Sequence, residues 1–313
     1  MSNQWLEIKS LKEGIDNVKN VKTKYETEQE ALCESKKALQ YAINNGQPYP
    51  EGEHLIAKNA WFSCEYAERV LKDRFPAGEP AILQSSSFAY RYAKNVIKGP
   101  WPEAEDILAK HVSLSVKYAI YVLKDRFQQS ESHILAFGDP QYILEYAKEA
   151  IKDRWPEGEF AIQTNSQTAY EYARDVIKGT WPEGESAIAC NSENSYYYAK
   201  ALLKKRFFAG EYAILNGKVA AGHAEITKYM FAYQYARDVI KGPWPEVEKM
   251  ISRSSYYSLA YAKNILKGRF IKGENAIKVN ETCKQEYIRF LQRCLDDLTN
   301  LDEGTVESLE QTL

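Results

Sequence analysis

The sequence predicts an all-α protein, a right-handed α-solenoid of about nine to ten short two-helix repeats with helical caps. Three observations predict it. A Tyr-Ala dipeptide recurs, with tyrosines at Tyr41, Tyr66, Tyr92, Tyr118, Tyr146, Tyr172, Tyr198, Tyr235 and Tyr261; Tyr287 continues the series with Ile288 after it. The spacing is 25–28 residues, except for one step of 37 before Tyr235. Each tyrosine from Tyr66 to Tyr261 also carries companions at fixed offsets, while the first repeat departs with Asn44–Asn45–Gly46–Gln47. Six residues on stands a lysine, nine on a Phe or Trp, twelve on a residue that is mostly small, and thirteen on a glutamate, from Glu79 to Glu274. Constancy of this kind is the mark of stacking units. The third observation is an absence: no run of about 18 apolar residues suits a membrane span.

The elements follow in chain order. Residues 1–35 read as an N-terminal helical cap, and 36–280 as the array. Within one repeat, TAYEYARDVIKGTWPEGESAIAC (168–190), the residues Ala169, Tyr172, Ala173, Val176 and Ile177 fall at i, i+3, i+4, i+7 and i+8. That is the apolar stripe of a helix buried on one side. Lys178 falls in the last turn, where a cation suits the helix dipole, and Gly179 reads as the stop at positive φ. Pro182 opens a second helix, with Glu183 and Glu185 in its first turn. So little length remains for this second helix that part of it is expected to be 3₁₀.

Two departures interrupt the array. Residues 215–231, LNGKVAAGHAEITKYMF, hold an insertion with Gly217, Gly222, His223, Lys228 and Tyr229. It reads as an extra helical turn or as a projecting binding loop. A smaller insertion around Phe137–Gly138–Asp139–Pro140 reads as a turn. Residues 281–301 read as a C-terminal capping helix. The last stretch, 302–313, is acidic and polar and reads as a disordered tail.

Charge narrows the function classes. The chain has net charge −2. Its two ends are acidic, leaving 36 basic against 31 acidic residues in 31–295. That is too mild for a dedicated DNA-binding domain. The five cysteines are scattered, which suits reduced thiols in a cytoplasmic setting. The histidines and cysteines lack metal-ligand spacing, and neither a nucleophile motif nor a phosphate-binding loop is present. No metal, cofactor or enzymatic activity is expected.

Candidate binding residues lie on the ruler helices. Two residues after the tyrosine stand Lys94, Lys148, Arg174, Lys200, Arg237 and Lys263, a row broken by Glu68 and Ile120. Nothing local demands a base there, so a cationic ladder for phosphate or for an acidic protein is one reading. The second row, the constant lysines, is accounted for by the helix dipole and by pairing with the constant glutamates across the turn. Those glutamates are expected to cap, or to bond a tyrosine hydroxyl. The aromatic ladder is expected to be core. Arg74, Arg126, Arg154, Arg206 and Arg269 in the inter-helix turns read as solvated charges or as an edge stripe. Tyr90, Tyr170, Tyr196 and Tyr233 are expected to border a binding face.

The segments YARDVIKGTWPEGESAI, YAKNVIKGPWPEAEDIL and YAKEAIKDRWPEGEFAI resemble short helical repeats of uncharacterised bacteriophage and large-virus proteins. In layout they are also similar to HEAT-like and leucine-rich-variant repeats. The resemblance implies a viral, phage-type source and hence the host cytoplasm. The expected function is a non-enzymatic scaffold that binds a host protein, a defence or regulatory factor. The alternative is a binder of nucleic acid or of a nucleotide signal through the basic row, with no membrane partner.

Overall fold

The structure is a computed structural model that describes residues 12–15, 29–218 and 226–310, with side chains to 297. Every described regular element is a helix, so the chain is an all-α repeat protein. It divides into two compact units, Met1–Ile151 and Lys152–Leu313. The first unit holds a helix over 29–45 and the repeats of Tyr66, Tyr92 and Tyr118, and ends within the repeat of Tyr146. The second carries those of Tyr172, Tyr198, Tyr235 and Tyr261, and ends in the helix Glu281–Glu310. That closing helix takes in 302–310, which composition had assigned to the tail.

One repeat shows how the sequence makes its elements. Asn165 caps the first helix: its side chain accepts from the N–H groups of Gln167 and Thr168. Asn59, Asn191 and Asp139 do the same elsewhere. Such caps satisfy donors that have no partner inside the helix. The helix is α over Ser166–Tyr172, then becomes a π-helix over Ala173–Ile177. Trp181 and Pro182 then start the second helix, which begins as 3₁₀ over Pro182–Gly184 and becomes α over Glu185–Ile188. The short 3₁₀ start expected there is present, and it recurs at Pro76–Gly78 and Ile271–Gly273.

The π segment is the first departure from expectation. It follows or includes each ruler tyrosine from Tyr66 to Tyr261, as in Ala93–Ile97, Ala119–Leu123 and Tyr198–Leu203. Its wider turn rotates the apolar stripe, so Val176 and Ile177 are only half-buried while Ala169, Tyr172 and Ala173 are fully buried. The second departure is the stop. Gly179 does not take positive φ; Lys178 does, at φ 57°. The N–H groups of Lys178 and Gly179 both reach the Ala173 carbonyl, Gly179 at 3.1 Å. A carbonyl that closes the helix twice needs the left-handed residue one place earlier than the glycine.

The core is the expected aromatic ladder. Phe75, Trp101, Phe127, Trp155, Trp181, Phe207, Trp244 and Phe270 are at most 3% exposed, which places all eight inside. Phe75, Trp101, Phe127, Trp181, Phe207, Trp244 and Phe270 pack against the ruler tyrosine of their own repeat, with Tyr172 and Trp181 ring centroids 4.9 Å apart. The small residue twelve positions on is required by this ring: a Cβ on Gly184 would lie 2.1 Å from Trp181.

Repeats are joined by a hydrogen-bonded lock. The ruler hydroxyl accepts the backbone N–H of the preceding repeat's aromatic residue at 2.6–2.9 Å, from Tyr49→Tyr66 to Phe270→Tyr287. The same hydroxyl donates to the preceding repeat's constant glutamate. Tyr172 does so to Glu159 at 3.0 Å, and Tyr92, Tyr118, Tyr146, Tyr198 and Tyr235 do likewise at 2.9–3.1 Å. The hydroxyl bond expected for these glutamates is therefore present. Their expected pairing with the constant lysines is not. The turn arginines take that place: Arg154 grips Glu159 with Nε at 2.8 Å and Nη2 at 3.0 Å. Arg74, Arg126, Arg206 and Arg269 grip Glu79, Glu131, Glu211 and Glu274 in the same way. A two-pronged guanidinium–carboxylate pair of this kind is geometrically specific. It replaces both sequence readings of these arginines.

Two predictions follow from the lock. Tyr172→Phe removes a donor to the buried Glu159 and orphans the Trp155 N–H, so it should destabilise by about 3 kcal/mol in denaturant unfolding. Tyr41→Phe, at an exposed tyrosine, should be neutral. The second concerns alkali. Burial raises the ruler phenols above their ordinary value of 10.0, with Tyr66, Tyr118 and Tyr261 pushed up to about 12. The unfolded chain therefore loses these protons first. The stability they contribute is complete below pH 10 and lost as pH rises toward 12. Unfolding midpoints should fall steeply above pH 10, with each added ruler Tyr→Phe change flattening that fall.

Candidate functional site

The basic row beside the ruler was the leading candidate, and its local geometry decides what it can do. Under Lys94, Arg174, Lys200 and Arg237 lies the tyrosine four residues before, at the i, i+4 spacing that lets helix side chains meet; Lys148 and Lys263 have Leu144 and Leu259 there instead. In the unit 152–313, the Arg174 guanidinium lies 5.4 Å from the Tyr170 ring centroid, Lys200 Nζ 5.2 Å from Tyr196, and the Arg237 guanidinium 5.3 Å from Tyr233. These are cation–π distances. The tyrosines expected to border a face thus support the row itself.

Carboxylates then close on the same cations. Arg174 forks onto Asp175 at 2.6 and 2.8 Å. Arg237 forks onto Asp238 at 2.6 and 3.0 Å. Asp238 also accepts from Lys200 Nζ at 2.8 Å and from the Tyr196 hydroxyl at 2.6 Å. These partners, Arg237 foremost, hold the Asp238 carboxyl well below the usual carboxylate range. Lys263 meets Glu286 at 2.5 Å. Four cations in this unit therefore face three carboxylates, and the row has little charge left to draw a phosphate.

In the unit 1–151 the row is thinner. Lys94 lies 4.7 Å from the Tyr121 ring centroid and 5.8 Å from Tyr90. Lys148 lies 3.8 Å from Glu149. Glu68, which breaks the row, receives Arg91 and Asn95.

The tyrosines of the second unit extend into an aromatic surface. Tyr170 stacks on Tyr197 with centroids 6.3 Å apart, and Tyr197 lies 5.0 Å from Tyr196 and 6.2 Å from Phe231. Tyr233 lies 5.8 Å from Tyr257, which meets Tyr256 at 5.0 Å. Tyr197 and Tyr256 are 39% and 63% exposed, so rings reach solvent from this packed base.

The insertion forms a separate place. The helix Ile226–Tyr235 begins three residues earlier relative to its tyrosine than Ser166–Tyr172 does, so part of the insertion is extra helix. Gly217 is left-handed at φ 60°, and a Cβ there would lie 2.9 Å from the Lys228 Cβ. The Lys228 stem therefore rests on Gly217, and its ammonium lies 5.0 Å from the Tyr229 ring centroid. Lys228 lines a cavity of about 320 Å³ with Asn216, Glu246, Lys249 and Arg253. His223 lies outside the described residues.

The constant lysines, read from sequence as structural, differ from the basic row in backbone and in partners. Lys72, Lys98 and Lys124 in the first unit, and Lys152, Lys178, Lys204, Lys241 and Lys267 in the second, are all left-handed, with φ 51–61°. All are exposed, and no ion pair or hydrogen bond holds their side chains. The left-handed conformation costs a residue with a Cβ roughly 1–2 kcal/mol. Over eight lysines that is on the order of 10 kcal/mol, the size of a whole domain's net stability. The lysines stand at the helix C-caps, where a cation suits the dipole, but the glutamates do not pair with them and the backbone geometry favours glycine.

No family model, curated protein or solved structure matches the chain. No described helix is long and apolar enough to cross a membrane.

Lys178→Gly should raise stability by about 0.5–1 kcal/mol through relief of the left-handed strain. A denaturant midpoint that falls instead would reveal a stabilising role for the lysine side chain.

Proposed function

We propose that this chain is a non-enzymatic scaffold that binds another protein through the tyrosine–cation surface of residues 152–313. The observation that carries this reading is the internal neutralisation of the row: Arg174, Lys200 and Arg237 are held by Asp175 and Asp238 and stacked on Tyr170, Tyr196 and Tyr233. Such a surface presents pre-ordered rings and forks with little net charge. Tyrosine and arginine in that state are the side chains that dominate protein–protein hot spots, because little rotamer freedom remains to be lost on binding. A phosphate ligand at this row would first have to break the carboxylate pairs.

The resemblance to phage and large-virus repeats supports a host protein as the partner, in the host cytoplasm, with a defence or regulatory factor as its specific form. The experiment is quantitative affinity capture from host lysate with the wild-type chain and with a Tyr197→Ala, Tyr256→Ala double variant. The reading expects one stoichiometric protein partner, retained at raised salt and weakened at least about 30-fold by the variant, the scale of a hot-spot loss. Capture that is insensitive to the variant removes this surface from the proposal. Recovery of nucleic acid alone removes the protein reading.

A further inference from the structure

We propose that the left-handed lysines Lys178, Lys204, Lys241 and Lys267 of the unit 152–313 form a second, separate contact row, for the phosphodiester backbone of a nucleic acid. The inference goes beyond the protein-binding reading and does not depend on it.

Four observations on the left-handed lysines converge. They are exposed and unpaired, whereas Arg174, Lys200 and Arg237 of the neighbouring row are neutralised. They keep a side chain where the backbone favours none. They terminate π segments that pack on one another in consecutive repeats, as Tyr198–Leu203, Ala236–Ile240 and Ala262–Leu266 do. Lysines at the ends of packed helices follow one another at roughly the 8–10 Å of helix packing. In the first unit, Lys72 and Lys98 face a shared cavity of about 310 Å³ together with Asn95 and Glu68, whose carboxylate is taken by Arg91.

The residue type selects the ligand. Recognition of individual carboxylates favours the arginine fork, and this chain closes its turn arginines on its own glutamates. What remains is one flexible point charge per repeat. A polymer bearing one identical anion per unit is its complement, and such contacts are read by charge and spacing rather than by base sequence. The stronger stretch is in 152–313. Lys72, Lys124 and Lys152 are each followed by an aspartate, whose carboxylate accepts the next N–H at 2.7 Å. Lys178, Lys204, Lys241 and Lys267 are followed by Gly179, Lys205, Gly242 and Gly268, with no acid to offset them.

The test uses the full chain and a labelled single-stranded oligonucleotide, read by fluorescence anisotropy. Wild-type affinity should fall on the order of 100-fold between about 50 and 200 mM salt, as expected for four to five neutralised phosphates. The quadruple variant Lys178→Gly, Lys204→Gly, Lys241→Gly, Lys267→Gly should remain folded, with an unfolding midpoint at or above wild type. Its salt slope should be shallower by about 3 units, and its low-salt affinity at least tenfold weaker. Lys→Arg at the same four positions should keep the binding. Tyr197→Ala should leave it unchanged, which separates this row from the protein-binding surface. Affinity of the glycine variant within twofold of wild type overturns the proposal. So does equal binding of poly-L-glutamate, which would assign the row to an acidic protein.

Discussion

A tyrosine hydroxyl has one hydrogen to give and lone pairs to receive, and this chain uses both in the locks from Tyr66 to Tyr235. The hydroxyl of Tyr172 takes the Trp155 N–H, which opens a helix and has no partner within it, and gives its own hydrogen to Glu159. Everything else in the repeat arranges itself around that oxygen. The aromatic ring beside it fills the core, and the small residue next to the glutamate lets the ring approach. The turn arginine, where present, grips the glutamate and aims it. A buried carboxylate without those partners would be a large cost, and with them it fixes register.

The repeat, its core and this hydrogen bond were legible from fixed offsets alone, since a glutamate always thirteen residues after a tyrosine needs a structural partner. The π turn was not. Switching from i→i+4 to i→i+5 bonding changes hydrogen-bond partners without altering the apolar spacing near Tyr172, so periodicity passes over it. The left-handed lysine was hidden by the glycine beside it in Lys178–Gly179. The signal that would have exposed it lies in the other repeats: Lys72, Lys124 and Lys204 have no glycine after them, so the lysine is the shared feature. Neutralisation of the basic row was out of reach for a different reason. Asp238 is gripped by Lys200, 38 residues earlier, a contact that only the stacked fold creates.

The distribution of charge is therefore less simple than its sum. Arginines are closed on acids within their own or adjacent repeats, in the turns and along the ruler helices. Lysines at the helix stops are left open. Two rows only four residues apart in sequence thus offer different chemistry, one of preset rings and forks, the other of mobile point charges.

Because the tyrosine of one repeat always locks the repeat before it, the joint is directional and self-contained. Each unit of about 26 residues brings the hydroxyl that its predecessor needs and the N–H and glutamate that its successor needs. Duplicating or excising a whole unit re-forms the same joint at the seam, whereas a fractional change leaves a buried glutamate facing the wrong residue. Length in such a chain can vary by whole repeats under little selective resistance. The eleven-residue excess before Tyr235 is tolerated because it lies between the Phe207 N–H and the tyrosine that still closes on it at 2.7 Å.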